Sequence, residues 1–131
     1  MDGQAKTKLL LVDDERLLLD IYVKNFQDSG YETTSFTMAE EALAQLRAGA
    51  TPDVVFFDIN MPGMSGFQFL ETVKREHLVP KALLLALTNE SQDGEKNRIV
   101  ELGADGHFIK SQLSPSDIVT AVSELLKKRV A

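Results

Sequence analysis

The sequence predicts a doubly wound α/β domain, a parallel sheet with helices on both faces. Three observations predict it. Short apolar runs of strand length alternate, along the whole chain, with segments whose apolar residues recur every three or four positions. The runs are mostly continuous rather than alternating, as in strands covered on both sides. The breaks between them are short and rich in glycine and proline, which suits successive strand–helix units rather than separate domains. At 131 residues the chain has the length of one domain. The expected organisation is therefore a single domain over 1–131, with its core at about 8–128.

Each element has its own signal. Residues 9–12 (LLLV) form the first strand, which stops at Asp13-Asp14-Glu15. Leu17, Leu18, Ile21, Tyr22 and Phe26 form one stripe of a helix that runs to about Ser29, with Gly30 as its stop. Residues 31–36 are a β-branched second strand. Residues 39–47 are a short helix with Ala42, Leu43 and Leu46 inward. After Pro52, residues 53–57 form the third strand, which ends at Asp58. Pro62, Gly63 and Gly66 make 59–66 a shaped loop. Phe67, Leu70 and Val73 mark the third helix. Residues 82–87 are the fourth strand, followed by the polar Thr88-Asn89-Glu90. A helix from about 91 to 102 stops at Gly103, and the fifth strand, 107–109, ends at Lys110. The last helix opens with a capping serine, Ser114, proline at the first helical position and Asp117 at the third. Lys127, Lys128 and Arg129 lie in its final turn, where the helix dipole favours cations.

Composition excludes several functions. With no cysteine there is no disulfide, thiolate metal site, iron–sulfur cluster or cysteine nucleophile. Twenty acidic against 14 basic residues, net −6, argue against holding nucleic acid through its phosphates. The apolar runs are far shorter than the roughly 20 residues that span a bilayer, and residues 1–6 lack a signal-peptide core. A cytoplasmic protein with neither nucleic-acid nor membrane partners is expected.

In an open parallel sheet, ligands bind beyond the carboxyl ends of the strands. The residues that follow the apolar runs are Asp13 and Asp14, Asp58, Thr88 and Lys110. One of Asp13 and Asp14 could cap the following helix, but only one residue can occupy an N-cap. Clustered carboxylates repel unless a cation neutralises them. Mg²⁺ suits such a group, with Lys110 adding further positive charge. Carboxylates, a divalent cation, an ammonium and a hydroxyl together suit phosphoryl transfer, with Asp58 as the nucleophile. Hydrolases that pass through an aspartyl phosphate often place a second acid two residues on. Here Asn60 stands there and cannot act as a general base. The acyl phosphate should persist, which points to a switch rather than a turnover enzyme.

These residues resemble a known family. The Asp13-Asp14 pair, the Asp58-x-x-Met61-Pro62-Gly63-Met64-Ser65-Gly66 loop, Thr88, and Gly103-Ala104-Asp105 leading to Lys110 look like a response-regulator receiver domain of two-component signalling, single-domain and similar to chemotaxis regulators. The resemblance implies a flavodoxin-like strand order 2-1-3-4-5. It implies that Asp58 accepts a phosphoryl group from a histidine kinase or histidine phosphotransfer protein. Asp14, Asp58 and the backbone carbonyl of Asn60 would bind Mg²⁺, with Asp13 acting mainly through a metal-bound water. Lys110 would hold a phosphoryl oxygen. Thr88 would swing toward the phosphoryl group and change a partner-binding surface made by the fourth helix, fifth strand and fifth helix. Asn60 and Glu90 would set how quickly water reaches the acyl phosphate.

Three positions depart from the family pattern. His107 stands where many members carry a tyrosine or phenylalanine that rotates with the threonine. It could rotate too, and it can become charged at mildly acidic pH; the plain alternative is a strand-edge histidine with no switch role. Ser111 follows Lys110 where proline is usual, often after a cis bond. A cis bond here would cost roughly 2.5–4 kcal/mol instead of about 0.5–1, so the loop geometry stays open. Asn89 replaces a small residue and narrows access to the site. His77 reads as solvated, and Met61 and Met64 as loop packing. The alternatives are a degenerate receiver that binds partners without phosphorylation, a phosphatase working through Asp58, and a nucleotide or flavin binder. The last lacks a glycine-rich loop after the first strand.

Overall fold

The computed structural model describes residues 6–89 and 93–130. Five strand–helix units follow one another: β1 (Lys8–Val12), α1 (Arg16–Asp28), β2 (Glu32–Phe36), α2 (Ala39–Arg47), β3 (Val54–Asp58), α3 (Gly66–Arg75), β4 (Leu83–Thr88), α4 (Asp93–Glu101), β5 (Gly106–Ile109) and α5 (Pro115–Val130). The strands form one parallel sheet in the order β2-β1-β3-β4-β5, as the resemblance implied. Every residue of β3 and β4 is buried, so their uninterrupted apolar runs reflect cover on both faces.

Alternation along each strand sends side chains to two cores. Leu10, Val12, Val55, Phe57, Leu84 and Ala86 face α2, α3 and α4, where they meet Leu43, Leu46, Phe69, Leu70 and Ile99. Leu9, Leu11, Val54, Phe56, Leu85 and Leu87 face α1 and α5, where they meet Tyr22, Phe26, Ile118 and Val122. Met61 is buried in the first core and Met64 packs against it, so both are loop packing.

Two local readings are corrected. The buried stripe of α1 is Leu19, Tyr22 and Phe26, with Leu18 and Val23 half-buried beside it. Leu17 is 82% exposed and Ile21 48%. Both phases satisfy a three-to-four-residue repeat, because the helix is apolar over more than half its circumference at this end. The N-cap of α1 is Glu15, with no side-chain cap, so neither Asp13 nor Asp14 caps it. The capping prediction for α5 holds: Ser114 Oγ accepts the Asp117 N–H and Asp117 Oδ2 accepts the Ser114 N–H, both at 3.2 Å.

α3 ends with the Leu78 N–H donating to Val73 O and the His77 N–H to Lys74 O. This places His77, at φ 52°, in the left-handed position that normally holds glycine. Exchanging His77 for glycine removes the strain on Cβ, less the added freedom of the unfolded chain. His77→Gly should stabilise the protein by about 0.5–1 kcal/mol, read as a raised urea midpoint at unchanged slope. A lowered midpoint would contradict this assignment.

Candidate functional site

Strand register builds the site. Val12 lies abreast of Phe57, so Asp13 and Asp58 are neighbours at the carboxyl ends of β1 and β3. Ile109 lies abreast of Thr88, which brings Lys110 to the same edge. The ladder continues past the strands: the Asp13 N–H donates to Phe36 O, the Ile59 N–H to Leu87 O and the Lys110 N–H to Thr88 O. These candidate residues therefore sit on backbone held like a strand.

Asp13, Asp14 and Asp58 each offer a carboxylate oxygen within 4.8 Å of the others. Asp13 and Asp58 are buried and Asp14 is partly open to solvent. Lys110 Nζ reaches across the site and donates to Asp58 Oδ2 at 3.0 Å. It also lies 3.0 Å from Asp13 Oδ2 and 3.5 Å from Glu15 Oε2, with its side chain only 8% exposed. Asp13 Oδ1 accepts the Glu15 N–H at 2.9 Å and Asp58 Oδ1 the Asn60 N–H at 3.1 Å. Asp13 Oδ2 accepts no hydrogen bond among the described residues, so its contact with Lys110 is one of charge. Thr88 Oγ1 is buried 3.0 Å from His107 Nε2.

One ammonium does not balance this many acids. Burial raises the Asp58 carboxyl, Lys110 pulls it down and Asp13 raises it, and together they leave it pushed up to about 7. Burial also raises Asp13, against the Glu15 N–H and Lys110. Burial alone would lower Lys110, but Asp58 and Asp13 hold it above the usual lysine range. Such a pocket, with a buried carboxylate oxygen met by the Lys110 charge and two acids reluctant to ionise, fits a hard divalent cation with oxygen ligands.

Sequence reasoning missed two residues. Glu15 read as the end of an acidic triplet, yet it is the third carboxylate on Lys110. Gly66 read as a loop glycine, yet a Cβ there would lie 2.3 Å from the Asp58 carbonyl oxygen and 2.6 Å from Ile59 Cα. Its N–H donates to Ile59 O at 2.9 Å. A side chain would push α3 off the strand end that carries Asp58. The glycine-containing loop was the available signal for Gly66; nothing local signalled Glu15. Asn60 and Asn89 lie exposed beside the site. Glu90 lies outside the described residues. No cis peptide bond occurs among them, so Lys110–Ser111 is trans.

The description of a "Response regulator receiver domain" matches this chain over residues 9–123. The chain belongs to the response-regulator receiver family. It is 32% identical over 123 residues to the response regulator SaeR of Staphylococcus aureus, an alignment covering 93% of this chain and 51% of SaeR. The chain thus spans about half the length of the curated relatives it matches. Among solved structures it superposes on the Vibrio cholerae chemotaxis protein CheY4 with a TM-score of 0.84 and 31% identity, covering 92% of this chain and 98% of that one. A CheY-like receiver domain protein of Methanospirillum hungatei gives 0.85 at 27% identity, covering 95% and 96%. Receiver domains of this family are phosphorylation-based signalling switches of two-component systems rather than turnover enzymes.

The raised Asp58 carboxyl links stability to pH. Below about pH 4 the group is protonated whether the receiver is folded or unfolded. Between about 4 and 7 the folded form keeps a proton that the unfolded form has lost, so stability falls as pH rises through this window. Asp58→Asn should therefore stabilise the metal-free receiver at pH 8 by on the order of 1–3 kcal/mol and have little effect near pH 4. Urea unfolding at the two pH values checks this; equal effects at both would contradict it.

Proposed function

We propose that this receiver accepts a phosphoryl group on Asp58 from a phosphohistidine donor, a histidine kinase or a histidine phosphotransfer protein, and signals through a changed protein-binding surface. The observation that carries the reading is Lys110 Nζ seated between the buried carboxylates of Asp58 and Asp13. An Asp58 oxygen forms a bond to phosphorus as the donor's P–N bond breaks, and the departing imidazole takes up a proton. Asp58 must be ionised to attack, and Lys110 favours that form. After transfer, the ammonium lies within reach of the new phosphoryl oxygens and neutralises part of their charge.

Asp14, Asp58 and the Asn60 carbonyl would hold Mg²⁺, with Asp13 acting through its water shell. When bound, the ion lowers repulsion between the carboxylates and the incoming phosphoryl group. Asn60 offers no base to activate water, so the acyl phosphate is long-lived. Asn89 and Glu90 tune access. Thr88 carries the change to His107, which lines the groove between α4 and β5 with Lys96, Ile99 and Val100. Val100, 61% exposed, gives this face an apolar contact for a downstream protein. The acidic balance argues against direct nucleic-acid binding. No helix among the described residues is long and apolar enough to cross a membrane, and a cytoplasmic site of action suits the donor.

Incubation with Mg²⁺ and a small acyl-phosphate donor should add about 80 Da, the mass of one phosphoryl group, with the adduct absent in Asp58→Ala. Phosphate release over many turnovers would instead mark a phosphatase. No adduct, together with no binding of beryllofluoride, would mark a receiver that works without phosphorylation.

A further inference from the structure

The Thr88–His107 contact carries a chemical consequence that an aromatic ring without a basic nitrogen could not have. Thr88 Oγ1 and His107 Nε2 are 3.0 Å apart. A hydroxyl has one hydrogen to give, and a neutral imidazole nitrogen can accept it, whereas an imidazolium has only N–H donors. The phosphoryl oxygens expected on Asp58 are acceptors, so Thr88 can stabilise them only by donating that same hydrogen.

We propose that His107 is a positioning residue that sets the direction of this hydrogen bond: the neutral ring accepts the Thr88 hydrogen in competition with a phosphoryl group, and protonation of the ring reverses the bond and frees that hydrogen for the phosphoryl oxygens. The inference rests on the phosphoacceptor reading above and adds its regulation. Through this contact alone, protonation of His107 favours the phosphorylated form, against the proton that acid also adds to Asp58. By reciprocity, phosphorylation makes His107 more basic by the same factor.

The surroundings keep the competing, neutral ring as the resting form. From β4 the ring meets the Thr88 hydroxyl. From α4 it faces Lys96, which disfavours a second positive charge, and Glu95, which favours it. Partial burial is the largest influence, and together these hold His107 below the usual histidine range. Asp105, just before β5, lines the same groove, but its Oδ2 accepts the Leu84 N–H at 2.8 Å. Phe108, the next residue, packs on the opposite face against the core under α1 and α5. The ring is therefore neutral near pH 7 and ionises on acidification.

Proton NMR titration of the two histidines, with exposed His77 as internal reference, tests this in two arms. In the unmodified protein, Thr88→Val removes the donor that stabilises the neutral ring, so the His107 midpoint should rise. A fall, or no change, means the ring is not accepting and overturns the proposal. In the second arm, Mg²⁺ and beryllofluoride should raise the His107 proton affinity about fivefold, roughly 0.7 pH unit, leave His77 unmoved and lose this effect in Thr88→Val. Beryllofluoride binding with no change at His107, or with an equal change in Thr88→Val, overturns the inference alone. Failure to bind beryllofluoride overturns the phosphoacceptor reading and takes the inference with it.

Discussion

Among the described residues Lys110 is the one cation inside a pocket of carboxylates, and the site is organised around that shortfall. Its ammonium lies 3.0 Å from Asp13 and Asp58 and 3.5 Å from Glu15. Removing it would leave two buried acids facing each other with no counter-charge, the costly half of a broken buried pair. Keeping it does not suffice either, since burial still holds Asp58 and Asp13 above ordinary carboxylates. The pocket is thus prepared for more positive charge, and for phosphoryl oxygens that would draw Lys110 toward them.

The sheet supplies the holding. β1, β3, β4 and β5 deliver Asp13, Asp58, Thr88 and Lys110 to one edge through parallel register, and ladder hydrogen bonds run into the residues that follow three of the strands. Two cores pack the strands from either side. Gly66 closes the arrangement by letting α3 start directly against the Asp58 carbonyl. At the same edge the Thr88 hydroxyl meets His107 beside the groove between α4 and β5.

Much of this was legible in the sequence because it rests on pattern. Continuous apolar runs mark the buried strands, and the polar residues that end four of the five strands mark the candidate site. What escaped depends on geometry that no local pattern encodes. The α1 stripe includes Tyr22 and Phe26 on either reading, but Leu17 and Ile21 fit the helical repeat as well as Leu19 does, and only the position of the sheet decides between them. Capping by Asp13 was plausible from its place before a helix, but its carboxylate is already committed to the Glu15 N–H and the Lys110 charge. Glu15 and Gly66 act through contacts across the fold. His107 stands out as a departure from the family pattern, while its bond to Thr88 depends on the pairing of β5 with β4.

The most direct measurement of the charge imbalance is the proton count that accompanies Mg²⁺ binding, obtained by calorimetric titration at pH 7 in buffers of different ionisation enthalpy. With the Asp58 carboxyl near 7, an ion that requires the carboxylate should displace roughly half a proton from this group alone. The release should grow toward pH 6 and lose this contribution in Asp58→Asn. Mg²⁺ that binds without releasing protons, or fails to bind, would contradict a pocket held short of positive charge.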